Sequence, residues 1–360
     1  MAISMFHYGV KRNTALRRIF RTLSASGVMF MFFMATGQPS LSVSPVSVEL
    51  VQPGVRNAHA MAYDSVRKRV VLFGGADAST VRGDTWEWDG RRWRLVSLTG
   101  PAPRTFPAMT YDSVRRRLIL YGGNRVLFGR NRNDNEYLSD TWEWDGRKWS
   151  QIDTPGPPAR AEAVLIFDVS RRRSVLFGGH TMTESGRRWL GDTWEWDGTR
   201  WQAVDVNGPS PRNGAAAVYD RARERMVLFG GSTQQGISGE TWEFDGRAWT
   251  RIDSATVEGR FNCVIAYDEV RRKVIRFGGR FGGQAVGDTW EYDSHRWRLL
   301  TNKGPRPRNH AAMVYDQRYH RIILFGGHDL TNVFGDMWQW DGAWLLRGPI
   351  NEEKRVDNGH

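Results

Sequence analysis

From Arg56 onward the chain is written in short apolar runs separated by turn residues. In the first cycle His59–Tyr63 is one run and Arg69–Phe73 the next, closed by Gly74-Gly75. After a variable stretch comes Thr85–Trp88, and an Asp89-Gly90 pair separates it from Trp93–Val96. Such runs, rich in β-branched and aromatic residues and bounded by turn signals, predict strands. Asp-Gly supplies the positive φ angles of a tight hairpin. No segment shows the 3.6-residue apolar period of a helix.

The cycle repeats six times. DTWEWDGRRW at Asp84 returns as DTWEWDGRKW at Asp140, DTWEWDGTRW at Asp192, ETWEFDGRAW at Glu240, DTWEYDSHRW at Asp288 and DMWQWDGAW at Asp336. Gly-Gly pairs fall at 74–75, 122–123, 178–179, 230–231, 278–279 and 326–327, and the extra residues between them lie in loops and links. Four antiparallel strands repeating about every 50 residues is the period of a propeller blade. A single blade cannot bury both faces of its sheet; stacking against neighbours does so, and closing the ring removes the exposed ends. An apolar strand ending in Gly-Gly, then an aromatic (Trp88, Trp144, Trp196, Phe244, Tyr292, Trp340), then a Trp (Trp93, Trp149, Trp201, Trp249, Trp297, Trp344) resembles the kelch superfamily. The spacing between the two aromatics, five residues or four in the last copy, is closer to the bacterial, galactose-oxidase-like type. The resemblance implies an all-β, six-bladed propeller over 54–348 with four antiparallel strands per blade. The last repeat has its own fourth strand, yet Val46–Val51 aligns with fourth strands elsewhere and is expected to pair near the last blade.

The ends of the chain differ in character. Residues 1–37 open with Lys11, Arg12, Arg17, Arg18 and Arg21, followed by the apolar stretch Val28–Ala35. That stretch is far shorter than the roughly 20 residues of a spanning helix, so a secretory signal is expected, with an uncleaved anchor as the alternative. The expected location is exported, periplasmic, extracellular or at the cell surface. No Cys follows the apolar run, which argues against a lipoprotein. Residues 38–53 read as a linker and possible closing strand, and 349–360 as a polar tail.

The formal charge is +12; without the five leader cations the balance is 46 basic to 39 acidic residues, or +7. Cys263 is the single cysteine, so neither a disulfide framework nor a multi-thiolate metal site is available. Its repeat equivalents are His59, Pro107, Ala163, Ala215 and Ala311, which suits a small buried residue.

A propeller sorts its loops by face. One face takes the YDSVRKR-type turns (64–69, 112–117, 168–173, 220–225, 268–273 and 316–321), with 17 Lys/Arg against 8 acids. These turns could contact an anionic surface, although each Asp is expected to cap its own turn; nucleic acid is not the expected partner. The other face holds the loops that vary. Trp189 is the one tryptophan of 17 outside the motif, so packing does not predict it. Trp189, Arg188, Phe128, Tyr137 and Arg132 are the expected contacts for a glycan or protein, aromatics beside arginines being suited to stacking and anchoring. Arg56, Arg104, Arg160, Arg212, Arg260 and Arg308, with Asp84, Asp140, Asp192, Glu240, Asp288 and Asp336, are expected to form a structural ring of ion pairs. The expectation is a monomeric binding module without a cofactor.

Catalysis needs departures from the repeat. His310, His328 and Asp336 could meet near one rim as a metal site, whereas His180, half a ring away, is not expected to join them; no metal is expected. Galactose oxidase holds copper with Tyr and His and a Tyr–Cys cross-link, and no matching ligand set exists here. Sialic-acid mutarotases also resemble secreted six-bladed kelch proteins, and acid/base groups at the channel mouth would here come from Glu162, Arg160 and His310. A sugar-active enzyme, of mutarotase, epimerase or oxidase type, is the alternative to the binding module.

Overall fold

The computed structural model describes residues 52–126, 136–252, 257–348 and 352–354. Six four-stranded antiparallel sheets follow one another along the chain, spanning 60–97, 108–152, 164–204, 216–252, 264–301 and 312–346. The fold is a six-bladed β-propeller. In the first blade Ala60–Asp64, Arg69–Phe73, Thr85–Trp88 and Trp93–Ser97 pair in sequence order, Ala60 opposite Phe73 and Trp88 opposite Trp93. The other five repeat that order. No helix among the described residues is long and apolar enough to cross a membrane.

Period-two alternation in the second strand builds the ring. Val70 and Leu72 pack with Ile323 and Phe325 of the sixth blade, while Val71 and Phe73 pack with Leu118 and Leu120 of the second. Both faces of every sheet are covered, which is why these strands read as continuous apolar runs and not as apolar/polar alternation.

Each residue of the DTWEWDGxxW segment has a packing or hydrogen-bonding task. The final Trp of a blade stacks on the aromatic before Gly-Gly of the preceding blade, as in Trp149 on Phe73 at 5.3 Å between ring centroids and Trp297 on Phe229 at 4.9 Å. Its Nε1–H donates to the Thr of that preceding blade, Trp149 to Thr85 at 2.8 Å and Trp201 to Thr141 at 2.9 Å. Trp93, at the ring's closure, meets Met337 instead. The Asp of the hairpin accepts from the backbone of its own turn, as Asp89 does from Arg91 and Arg92.

The sixth blade takes all four strands from its own repeat, the last being Trp344–Leu346. Closure onto the first blade uses Arg56 N–H to Phe334 C=O and Gly327 N–H to Arg56 C=O, both 2.9 Å, and Trp93 on Phe325. The suggested closing strand Val46–Val51 lies outside the described residues. In the segment read as a tail, Glu352–Lys354 pairs with Asn332–Phe334. Further hairpins rise from the loop-rich face after Gly-Gly, including His180–Thr183 with Gly186–Trp189.

Candidate functional site at the channel mouth

All six expected ion pairs form, from Arg56–Asp84 at 2.8 Å to Arg308–Asp336 at 2.6 Å. The arginines are buried, and five of them also donate to the first Gly carbonyl of the Gly-Gly pair, as Arg104 does to Gly122 at 3.0 Å. Each carboxylate additionally accepts from the next Trp Nε1–H, for example Asp84 from Trp86 at 2.7 Å. This ring belongs to the scaffold. Arg160, a candidate for chemistry, is part of it through Asp192, so its guanidinium is not offered to the mouth.

Two residues after each of these arginines the backbone makes a second ring. Ala58 N–H donates to His310 C=O, Phe106 to Ala58, Glu162 to Phe106, Gly214 to Glu162, Asn262 to Gly214 and His310 to Asn262, over 2.7–3.3 Å. Six residues from six blades thus close a hydrogen-bonded hoop around the channel axis. All six sit at φ between 52° and 60°, and only one is glycine. Left-handed conformation is costly for side chains other than Gly, and the hoop is what holds them there. At Gly214 a Cβ would lie 2.2 Å from Asn262 Oδ1, so a larger residue there would displace the Asn262 amide.

The six hoop positions carry six different residues, Ala, Phe, Glu, Gly, Asn and His, and the side chains of Glu162, Asn262 and His310 meet. Glu162 reaches across the axis: Oε1 is 3.3 Å from His310 Nε2 and 3.4 Å from Asn262 Nδ2. Its Oε2 accepts from Asn213 Nδ2 and lies 3.4 Å from His180 Nδ1. Side chains from blades three to six therefore converge on one carboxylate that is 5% exposed. His180, set apart from His310 by its place in the ring, joins it through this carboxylate; a Glu side chain spans the narrow axis, which blade counting did not consider. Asp336 stays with Arg308, so the His310–His328–Asp336 grouping does not assemble.

Proton positions follow from one backbone contact. Leu330 N–H donates to His328 Nδ1 at 3.1 Å, placing the His328 proton on Nε2. His328 Nε2 is 2.8 Å from His310 Nδ1, an order that puts the His310 proton on Nε2, the atom that faces both Glu162 Oε1 and the Asn262 amide. Burial works to raise the Glu162 pKa, but the His310 hydrogen bond, the charges of His180 and His310 and the Asn213 amide outweigh it and hold the carboxyl at about 2. Burial lowers the His180 pKa against the pull of Glu162. His59, lining the same cavity, is pushed by burial and by Arg56 down to about 3, and neither ring nitrogen has a partner among the described residues.

Aromatic rings frame the cluster. Phe106 stands edge-on to His310 at 4.8 Å and Tyr137 to His180 at 5.4 Å. Trp189 Nε1–H donates to Asn213 Oδ1 at 2.9 Å, fixing the amide that faces Glu162. Two of the five expected contact residues, Trp189 and Tyr137, thus border this cluster. Arg188 is exposed on the hairpin opposite Thr181, and Phe128 and Arg132 lie outside the described residues. Beneath the hoop is a cavity of about 130 Å³ lined by Glu162, His310, Asn262, Phe106, His59 and Cys263 among others. Cys263 is buried, and its thiol is raised by burial to about 11.

Residues 172–341 match the family model described as the KLHDC2/KLHL20/DRC7 Kelch-repeats domain. Kelch repeats are matched over that part of the chain, and the fold throughout is a six-bladed β-propeller. The solved structure titled "Structure of YjhT" is similar in fold, with a TM-score of 0.63 at 13% identity, covering 82% of this chain and 99% of that one. No curated protein matches. The match to the kelch model covers blades four and five whole and most of blades three and six, and Glu162 itself lies before its first residue.

Acid titration reports on the cluster. The folded Glu162 pKa lies below the unfolded value, so its contribution is present above about pH 4.3 and is lost as pH falls toward 2. Wild type should exceed Glu162→Gln in unfolding free energy at pH 7 by on the order of 2 kcal/mol. The gap should shrink to under about 1 kcal/mol by pH 2.5, as read by urea unfolding at both pH values; a pH-independent gap would contradict an ionised Glu162.

Proposed function

We propose that this kelch propeller is an exported binding module that takes a carbohydrate at the channel mouth of its loop-rich face. The observation that carries the reading is the convergence on Glu162 of His180, Asn213, Asn262 and His310; Glu162, Asn262 and His310 differ from every other copy, while Asn213 recurs as Asn57 and Asn309 and His180 as His328. A carboxylate, two carboxamides and imidazoles are planar groups that match vicinal hydroxyls, and Phe106, Tyr137 and Trp189 supply faces for C–H-rich sugar surfaces. A glycan screen should yield a ligand whose Kd rises about 30-fold in Glu162→Gln and about tenfold in Trp189→Ala. Unchanged affinity in both variants would remove the mouth as its site.

A second reading is favoured by the oriented His328–His310–Glu162 chain, which provides an acid and a base in contact with each other. In that reading the module also exchanges protons with the bound sugar. Glu162→Gln would then lower turnover far more than His328→Asn lowers binding. Sugar bound with no exchange of anomers or epimers in wild type would leave the binding module alone.

A further inference from the structure

The face opposite the loop-rich one carries the turns within the first hairpin of each blade and, further out, the Asp-Gly turns. Its cations fall into two groups. Those early in the inner turns are tied down: Arg67 to Asp64 at 2.7 Å, Arg171 to Asp168 at 2.7 Å and Arg223 to Asp220 at 2.8 Å. The turn tips are not, and besides those of blades one and two this holds for the exposed Arg172 of blade three and Arg272 of blade five, which have no ion pair among the described residues. Lys68 and Arg116 are exposed, at φ 56° and 58°, and have no ion pair among the described residues. The same holds for the exposed Arg91, Arg147 and Lys148 on the Asp-Gly turns of these two blades.

The charge is not uniform around the ring. Blade four has Glu224 at the tip, Arg221 paired with Glu269 at 3.0 Å, and Arg225 3.8 Å from Asp245. Two residues before the tip, blades one, two and five expose Val66 (48%), Val114 (46%) and Val270 (61%), where blades three and four carry Ser170 and Ala222; blade five sets Glu269 beside its valine, so blades one and two alone combine the valine with a turn that has no second acid. A β-branched apolar residue on an exposed turn has no local structural reason. Unpaired cations are well solvated, whereas exposed valines beside them are not, and the combination fits a partner that is anionic at its surface and apolar just beneath. An anionic polymer would engage the cations and leave the valines in water.

We propose that the turn face of blades one and two docks on an anionic phospholipid bilayer, with Lys68, Arg116, Arg91 and Arg147 among the headgroups and Val66 and Val114 entering the interfacial layer. The channel mouth, on the other face, stays open to solvent. The proposal does not rest on the carbohydrate reading.

The test is co-sedimentation of the full chain with vesicles of phosphatidylcholine alone or with one third phosphatidylserine, at two salt concentrations. All comparisons are between variants of the same chain, so any affinity of residues 1–37 for lipid is common to them. Lys68→Gln with Arg116→Gln should lower partitioning to the anionic vesicles about 30-fold at low salt and much less at high salt. Val66→Asn with Val114→Asn should lower it about fivefold while leaving retention on a sulfated polysaccharide column unchanged. Thermal unfolding of both double variants should match wild type, since these side chains are exposed. Equal partitioning of all variants would overturn the proposal. Loss of polysaccharide retention with no effect of the valine pair on vesicles would overturn it in favour of a polyanion.

Discussion

Arg308→Ala should destabilise the protein by about 3–5 kcal/mol. Arg308 is fully buried and its partner Asp336 has a side chain 4% exposed. The guanidinium grips both carboxylate oxygens, at 2.6 and 2.9 Å, gives a further bond to Gly326 C=O at 2.9 Å, and lies over Phe334 at 4.3 Å. Truncation leaves a buried carboxylate with Trp338 Nε1–H, at 2.7 Å, as its remaining side-chain donor among the described residues, and strands a strand-end carbonyl. The cost is that of the abandoned charge rather than the worth of the pair. Arg160→Ala removes the same contacts in the third blade, but Asp192 is 37% exposed and can recover water. Its cost should be clearly smaller, about 1–2 kcal/mol. Arg308→Lys should not rescue, because a single ammonium cannot meet two oxygens and a carbonyl in one plane. Urea midpoints at constant m-value measure all three; equal losses in Arg308→Ala and Arg160→Ala would show that burial of the carboxylate does not set the cost.

The scaffold was legible because six copies report each position six times. Thr85, Thr141, Thr193, Thr241 and Thr289 follow the leading acid for a reason only neighbouring blades reveal: each receives the indole N–H of the next blade's last Trp. The strand pattern and the Arg–acid ring could be read without that detail, since periodic apolar runs and fixed registers survive in one dimension.

The mouth was only partly legible. Glu162 and His310 stood out as departures from the repeat, but Asn213 and Asn262 did not, since isolated amides carry no pattern. His180 was set aside on the argument that opposite blades do not meet. That argument holds for strands and fails at the axis, where first-strand ends approach closely enough for one Glu side chain to bridge them. A usable signal was present: two residues after each blade-initial Arg the six copies read Ala58, Phe106, Glu162, Gly214, Asn262 and His310, with no residue repeated. A position that is structurally equivalent and chemically different in every copy is where a ring fold turns symmetry into a site. The Trp189 loop, prominent by its lone tryptophan, proves to support that position through Asn213.

Arg276→Leu should stabilise the protein by up to about 4 kcal/mol, the opposite sign for an equally buried arginine. The position belongs to the second strand, where the other copies carry Leu72, Leu120, Leu176, Leu228 and Leu324, all fully buried against the preceding blade. Arg276 is as deeply buried, yet none of its guanidinium nitrogens has a hydrogen-bond partner among the described residues. The nearest carboxylate oxygen is Asp288 Oδ2 at 3.7 Å, and the charge instead faces Phe229, Trp290 and Trp297 at 4.6, 5.0 and 5.3 Å. Burial lowers its pKa to about 10, so it remains a cation at neutral pH and bears the desolvation cost without the compensation Arg308 receives. Removing it breaks no hydrogen bond: Asp288 Oδ2 keeps Arg260 at 2.8 Å and Trp290 Nε1–H at 2.6 Å, and the buried Oδ1 has no hydrogen-bond partner among the described residues even with Arg276 present. The three cation–π contacts share one charge and do not add, so together they oppose the gain by about 2 kcal/mol, less than the several kcal/mol of burying an unpaired charge. A higher urea midpoint at unchanged m-value is the expected result. A loss of stability comparable to that of Arg308→Ala would mean that the aromatic cage compensates the buried charge in full.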